Sequence, residues 1–245
     1  MPRTITRDPL RKTMISLRKS QDRRHTSNGG QDTWATFDME NSSDPLHAGF
    51  RTLESLNEED LAPGAGFTFQ PQKDTEILTY VFKGALIQED PAGGTRVLEA
   101  GECGRSSARS GTSQRSFNGS LTDSAHVFQC CFTPDRSSLK TQSDKRRFPL
   151  ADRRGILRLI LSSDGRNASL RMRQDAKIYS SILDPGHHVI HELISGRGAW
   201  LHVVSGRVQL IDHILTAGDG ASLVDEAAVS LTAQEPSEIL LFDLS

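Results

Sequence analysis

Gln70 and Gln72 stand two residues apart ahead of Glu76, within Gly64-Ala65-Gly66-Phe67-Thr68-Phe69-Gln70-Pro71-Gln72-Lys73-Asp74-Thr75-Glu76. The apolar run Ile77-Leu78-Thr79-Tyr80-Val81-Phe82-Lys83 follows and closes on Gly84. Side chains two apart on one strand point to the same face, and a small antiparallel barrel uses that spacing to aim two donors at one ion. Histidines at these positions would make a metal pocket. Glutamines bring neutral amides instead, so the scaffold of a metal site is present and its ligand chemistry is missing.

Other chemistry-bearing residues are weaker candidates. Gly186-His187-His188-x-x-His191-Glu192 has a metal cluster's composition, but strand alternation sends His187 and His188 to opposite faces. They read as surface or loop histidines, and His202, in an apolar run, reads as a satisfied core residue. Cys130 and Cys131 lie in the apolar run His126-Val127-Phe128-Gln129-Cys130-Cys131-Phe132, where a thiol is ordinarily inert. Three cysteines make no disulfide framework and suit a reducing compartment. No Ser-His-Asp arrangement, phosphate-cradling loop or nucleic-acid motif occurs, and Gly196-Arg197-Gly198 is too short to count.

The elements that must position Gln70 and its neighbours are short strands. Thr75 to Phe82, Ala85 to Glu89, Arg96 to Leu98 and His126 to Phe132 have strand composition in the first half. Gly155 to Ser162, Lys177 to Leu183, Val189 to Leu193, Ala199 to Val204, Val208 to Ile211, Ala227 to Thr232 and Glu238 to Leu244 follow in the second. Arg23 to Gln31 reads as a polar loop and Ser106 to Gly111 as a loop or twisted edge. A helical signal is confined to Arg173 to Ala176. Turn signals every 8 to 12 residues point to a sandwich or barrel.

An internal repeat divides the chain. Val81 to Asp90 aligns with Val203 to Asp212 at an offset of 122 residues, and Ala100-Gly101-Glu102 aligns with Ala217-Gly218-Asp219 at 117. With 245 residues and 36% hydrophobic content there is material for two modest cores. A net charge of -2 gives no general attraction to nucleic acid or membrane, and no apolar run reaches the roughly 18 residues of a span. The basic start of the chain lacks a secretory apolar core, so a cytoplasmic protein is expected.

These residues resemble the pirin family, a two-barrel branch of the cupins. The resemblance runs from about Met14 to Leu244 and rests on Asp32-Thr33-Trp34-x-Thr36-Phe37, the Gly64-to-Gly84 motif, Lys145-Arg146-Arg147-Phe148, Ser163-Asp164-Gly165-Arg166, Asp225-Glu226-Ala227 and Leu240-Leu241-Phe242-Asp243-Leu244. It implies one iron in the N-terminal barrel, held by three histidines and a glutamate, with quercetinase-like activity in some members and regulatory roles in others. Carried over residue by residue, the histidine positions fall on Gln70, Gln72 and Gln114, and the glutamate position on Ser116. A glycine of the second motif falls on Arg109. Three amides and a hydroxyl do not offset the charge of a redox metal.

The expected fold is therefore all-β, a bicupin of two tandem antiparallel β-barrels. The expected parts are a basic arm at 1–13, an N-terminal barrel at 14–133, a linker at 134–154 and a C-terminal barrel at 155–245. No catalytic residue, metal or cofactor is expected. Gln70, Gln72, Gln114, Ser116 and Glu76 are read as a degenerate ligand pocket, with Arg109 and Arg115 on its rim. Two uses of that pocket stay open: a polar plug bonded to itself, Ser116 and water, or a cavity for a small polar or aromatic ligand. The expected function is non-catalytic and regulatory, through a partner protein or small ligand, with nucleic acid and membrane not expected. The alternative is a quercetinase-like dioxygenase with an altered shell centred on Glu76, and a third reading has the basic patches meet nucleic acid or an acidic protein.

Overall fold

In the computed structural model, residues 14–37, 41, 43–44, 46–71, 73–89, 94–135 and 142–245 are described. The basic arm at 1–13 and Gln72 lie outside them. In the first half the strands are β1 (Met14–Arg18), β2 (Arg24–Asn28), β3 (Gln31–Ala35), β4 (Leu53–Leu61), β5 (Gly66–Phe69) and β6 (Thr75–Lys83). They continue as β7 (Ala85–Glu89), β8 (Thr95–Glu99), β9 (Glu102–Ala108), β10 (Gln114–Asn118), β11 (Ala125–Phe132) and β12 (Gln142–Arg147). After a single helical turn, α1 (Leu150–Arg153), come β13 (Arg158–Ser162), β14 (Leu170–Arg171), β15 (Ala176–Leu183), β16 (His188–Glu192) and β17 (Gly198–Ser205). The last five are β18 (Arg207–Leu210), β19 (His213–Thr216), β20 (Gly220–Val224), β21 (Ala228–Ala233) and β22 (Ser237–Leu244).

Two copies of one architecture result. A seven-stranded sheet ordered β12-β9-β6-β11-β4-β3-β2 closes against a four-stranded sheet β5-β10-β7-β8. The second barrel repeats this as β1-β20-β17-β22-β15-β13-β14 against β16-β21-β18-β19. The internal repeat maps onto equivalent places: β6, Gly84 and β7 correspond to β17, Gly206 and β18. Both glycines need a left-handed backbone, with φ of +77° and +82°. A Cβ on Gly206 would lie 2.2 Å from the Pro236 carbonyl oxygen, whereas one on Gly101 (φ +80°) would meet nothing closer than 3.6 Å. Gly206→Ala is therefore expected to lower stability by well over about 1 kcal/mol and Gly101→Ala by only about 1 kcal/mol, read from urea unfolding. Equal losses would mean that strain in φ, not the close backbone approach, fixes both glycines.

The period-two alternation of each central strand supplies two cores at once. On β6, Val81 faces into the first barrel with Leu61, Leu86, Leu98 and Val127. Leu78 and Tyr80, on the other face of β6, join Phe128 and Phe132 in a core shared with Ile178, Trp200 and Phe242 of the second half. That shared core holds the two large sheets together. The second barrel is filled by Leu201, Val203, Val208, Leu223, Leu231 and Leu241 among others.

Five sequence expectations differ from the structure. Residues 24–35, expected in part as a polar loop, form the β2–β3 hairpin turned by Gly29 and Gly30, because an exposed edge hairpin needs no apolar alternation. The stretch from Ser106 belongs to β9 as far as Ala108, buried between β6 and β12, where small residues fit the tight packing. Met14 to Arg18, expected in the N-terminal barrel, pairs with β20 in the C-terminal sheet. The expected linker contributes β12 to the N-terminal sheet, pairing Gln142 to Arg147 with β9. Nor is Arg173 to Ala176 a helix, since Ala176 already opens β15. Among the described residues no helix is long and apolar enough to cross a membrane.

Candidate functional site

The N-terminal barrel carries a band of polar side chains between two apolar layers. Ile77, Ala108 and Cys131 make one layer, packed with Phe69, and Val81, Leu86 and Val127 belong to the other. Gln114 and Ser116 sit in the band, two apart on β10 and both buried, as strand alternation predicts. Ser106 Oγ donates to Gln114 Oε1 at 3.3 Å. Gln88 Nε2 donates to Ser116 Oγ at 3.3 Å and to Thr79 Oγ1 at 3.2 Å, while Arg96 Nε fixes the Gln88 oxygen at 2.9 Å. Gln129, paired with Thr79 across β11 and β6, completes the band. The amide nitrogens of Gln114 and Gln129 are buried and have no hydrogen-bond acceptor among the described residues.

The remaining expected pocket residues go elsewhere. Gln70 is exposed just beyond the end of β5. Glu76 is fully buried but lies on the opposite face of β6 from the polar band. Its strand partner Ser107 donates to Glu76 Oε1 at 2.5 Å, and Arg173 N–H, from the second half, donates to Oε2 at 3.1 Å. Arg105 Nε, 3.5 Å from the same carboxylate, balances its charge. Glu76 thus ties the two halves together and cannot share an ion with Gln114 or Ser116. Arg109 is exposed at the start of the turn after β9, where its carbonyl accepts from Thr112. Arg115 lies on the outer face of β10, beside Glu89 (3.8 Å) and over the Phe117 ring (5.1 Å). Neither arginine is placed with Gln114 and Ser116.

Sequence reasoning misses Thr79, Gln88, Ser106 and Gln129. The signal for Gln88 and Gln129 is a lone amide at an inward position of an otherwise apolar strand, visible once the register of β7 and β11 is known. The second-half histidines hold no ion site either. His191 Nε2 pairs with Asp243 at 2.9 Å, His188 bonds Thr232, and His202 is buried at the interface of the halves with both ring nitrogens unpartnered. All three thiols are free and buried, and burial pushes Cys103 and Cys131 up to about 12 and Cys130 well above its ordinary value, which disfavours the thiolate. Lys145 and Arg147, on the exposed β12, are matched to Glu102 and Glu99.

Among the described residues no three His, Cys, Asp or Glu side chains converge in a way that could hold a metal. The donors that do converge, the three amides of Gln88, Gln114 and Gln129 and the hydroxyls of Thr79, Ser106 and Ser116, carry no charge to set against a cation. A redox metal does not fit this band.

Two tandem barrels, each a seven-stranded sheet closed by a four-stranded one, define the chain as a bicupin. The family model for Pirin matches residues 17–131, and that for the quercetinase C-terminal cupin domain matches residues 159–244. A quercetin 2,3-dioxygenase of Escherichia coli is 35% identical over 231 residues, covering 94% of this chain and 99% of the relative. A pirin-like protein of Caulobacter vibrioides is 30% identical over 208 residues, 84% of this chain and 89% of the relative. The crystal structure of the bacterial pirin YhhW of Escherichia coli in complex with nickel(II) superposes with a TM-score of 0.85 at 35% identity, covering 94% and 99% of the two chains. The chain belongs to the pirin family, and among its described residues the family's metal-binding cluster is missing.

Proposed function

We propose that this pirin-family chain works without a metal and without catalysis, binding a small ligand or a partner protein in a regulatory role. The observation that carries the reading is the neutral band of Thr79, Gln88, Ser106, Gln114, Ser116 and Gln129 inside the first barrel. Two of its amide donors lack an acceptor, and a dry unmet donor costs about 1–3 kcal/mol. A guest with carbonyl or hydroxyl oxygens would relieve that cost, which favours the small-ligand form. The dioxygenase alternative loses its centre, since the Glu76 carboxylate is engaged by Ser107, Arg173 and Arg105 on the other face of the sheet. The pairing of Lys145 and Arg147 with acids likewise weighs against a nucleic-acid role.

The test is metal content and turnover measured together. Protein incubated with ferrous iron, nickel(II), cobalt and zinc, then desalted, is expected to retain below about 0.1 metal per chain. Quercetin, the flavonol in the relatives' names, presents carbonyl and hydroxyl oxygens and should produce no oxygen uptake with any of these preparations. Near-stoichiometric metal together with quercetin-dependent oxygen uptake would overturn the proposal.

A further inference from the structure

The inward face of β4 carries a buried carboxylate, Glu59, beside the polar band of the first barrel. We propose that Glu59 is the anionic half of the ligand site, and that the guest is a small amine bearing a hydroxyl or carbonyl oxygen on an aromatic body. The inference rests on the small-ligand reading of the polar band and names the class of guest.

Glu58 and Glu59 are neighbours on opposite faces of β4, and the face decides what each one meets. Glu58, between the halves, lies 2.8 Å from His126 and 2.6 Å from Arg23. Against the desolvation that raises it, those partners hold its carboxyl at about 2. Glu59 stands opposite Val127 of β11 and Thr33 of β3, so it faces into the barrel with Val127 and Leu61. It is 3% exposed. Thr33 Oγ1 donates to Glu59 Oε2 at 2.5 Å and Gln31 Nε2 to the same oxygen at 2.9 Å, and both donors are neutral. Oε1 makes no hydrogen bond among the described residues, and no described Lys, Arg or His pairs with the group. Burial therefore pushes the Glu59 carboxyl up, and the two hydrogen bonds oppose that only in part. One carboxylate does not make a metal site, but a protonated amine brings both the missing charge and a donor for Oε1.

The oxygen of the guest answers a second observation. Gln129 is 3% exposed and its amide nitrogen has no acceptor among the described residues. Gln129 pairs with Asn57, two residues before Glu59 on the same face of β4. Such diagonal neighbours lie about 7–8 Å apart, and a molecule with its nitrogen and oxygen on adjacent carbons fits between them. The way in is the side of the barrel between β4 and β5. β5 is the edge of its sheet and pairs with β10 alone, so no backbone ladder closes that side. Ser55 and Asn57 on β4, and Phe67 and Phe69 on β5, alternate inward yet remain half-buried. Phe67 packs on the layer of Val127 and Leu61, and Phe69 on the layer of Cys131, which gives the opening an apolar wall for a ring.

Titration calorimetry on the full chain tests this, with 2-amino-1-phenylethanol as the probe. It is expected to saturate one site with a Kd of about 1 mM or tighter, a reasonable affinity for so few atoms. 1-Phenyl-1,2-ethanediol, in which a hydroxyl replaces the amine, should bind at least about tenfold more weakly, and 2-phenylethylamine, which lacks the hydroxyl, at least about threefold. Glu59→Gln keeps the shape of the side chain and should weaken the amino alcohol at least about tenfold, removing its advantage over the diol. Without a guest, the same variant should unfold at a urea concentration equal to or above that of the wild type, because a buried charge without a counter-ion is gone. Arg115→Gln, on the outer face of β10, should leave the affinity unchanged. The inference is overturned if the wild-type chain does not bind the amino alcohol, if Glu59→Gln binds it normally, or if Glu59→Gln lowers the urea midpoint, which would make Glu59 a structural tie. A diol that binds as tightly as the amino alcohol also overturns it, yet leaves the small-ligand reading standing; that reading falls instead on metal retention with quercetin turnover.

Discussion

Replacing His202 with leucine is expected to flatten the acid side of the stability curve. The ring is fully buried between the halves, 5.5 Å from Phe128, and neither nitrogen has a partner among the described residues. Burial, reinforced by the nearby Arg23 guanidinium, pushes His202 down to about 3 from an ordinary 6.5, against the pull of Glu58 and Asp219. The unfolded chain therefore takes up a proton at this residue well before the folded chain does. Stability falls as pH drops below 6.5 and continues to fall until about pH 3. At about 1.4 kcal/mol per pH unit, the loss from this group between neutrality and pH 5 comes to about 2 kcal/mol.

Glu58 and Asp243, both held at about 2 by their basic partners, add losses of the same sign, but only as their unfolded-state carboxylates begin to protonate near pH 4.5 and 3.8. Between pH 7 and 5 those two carboxylates add little, and the comparison with a His202 variant isolates the histidine. Urea unfolding across that window should show the wild-type chain losing about 2 kcal/mol more than His202→Leu, whose side chain is close in volume and carries no proton. Parallel profiles for the two proteins would show that His202 is not the acid-sensitive group.

The second large effect belongs to Arg153. This residue is 1% exposed, and its Nη1 donates to Glu238 Oε1 at 2.7 Å, Tyr80 OH at 2.8 Å and Ser180 Oγ at 3.0 Å, while Nε donates to the Phe148 carbonyl at 3.1 Å. Tyr80 OH in turn donates to Glu238. The connecting helix thus offers one cation to groups from both halves. Arg153→Met would leave the Glu238 carboxylate buried with no positive partner, a change that costs about 3–5 kcal/mol. Glu238→Gln in the Arg153→Met background removes the stranded charge and should recover most of that loss, because a buried ion pair contributes little beyond its own desolvation. Urea unfolding of the two single variants and the double measures this directly. A single-variant loss below about 1 kcal/mol would mean that water already reaches Glu238.

The parts of the molecule that obey local rules are legible in the sequence. Gly84 and Gly206 mark the same turn in each barrel because only glycine tolerates both the left-handed φ and the close backbone approach. The spacing of Gln114 and Ser116 places both inward on β10 because strand period alone decides that. What fails locally is whatever depends on register or on a distant partner. Glu76 stands in the same motif as Gln70, yet which face of β6 it takes is fixed by pairing Glu76 with Ser107 and Ile77 with Ser106 across β9. The hairpin at Arg24 to Ala35 and the strand at Gln142 to Arg147 are polar because they lie at sheet edges, so their composition imitates loop. Arg115 shows the same limit in reverse: a residue flanked by two inward neighbours must point outward, whatever its charge suggests about a rim.

The placement of β1 has a consequence for biosynthesis. In the first large sheet the outermost strand beside β9 is β12, which leaves the ribosome soon after the barrel it completes. The equivalent berth in the second sheet, beside β20, is filled by β1, whose partner lies roughly 200 residues further along the chain. At typical elongation rates of about 5–20 residues per second, that partner emerges some 10–40 s later. For that interval Ile15 and Leu17, which end packed against the second barrel's core, have no surface of their own to cover them. The first barrel can close while the ribosome is still translating, but the leading strand must wait as an unmatched edge, open to other nascent chains, until the last barrel is nearly finished.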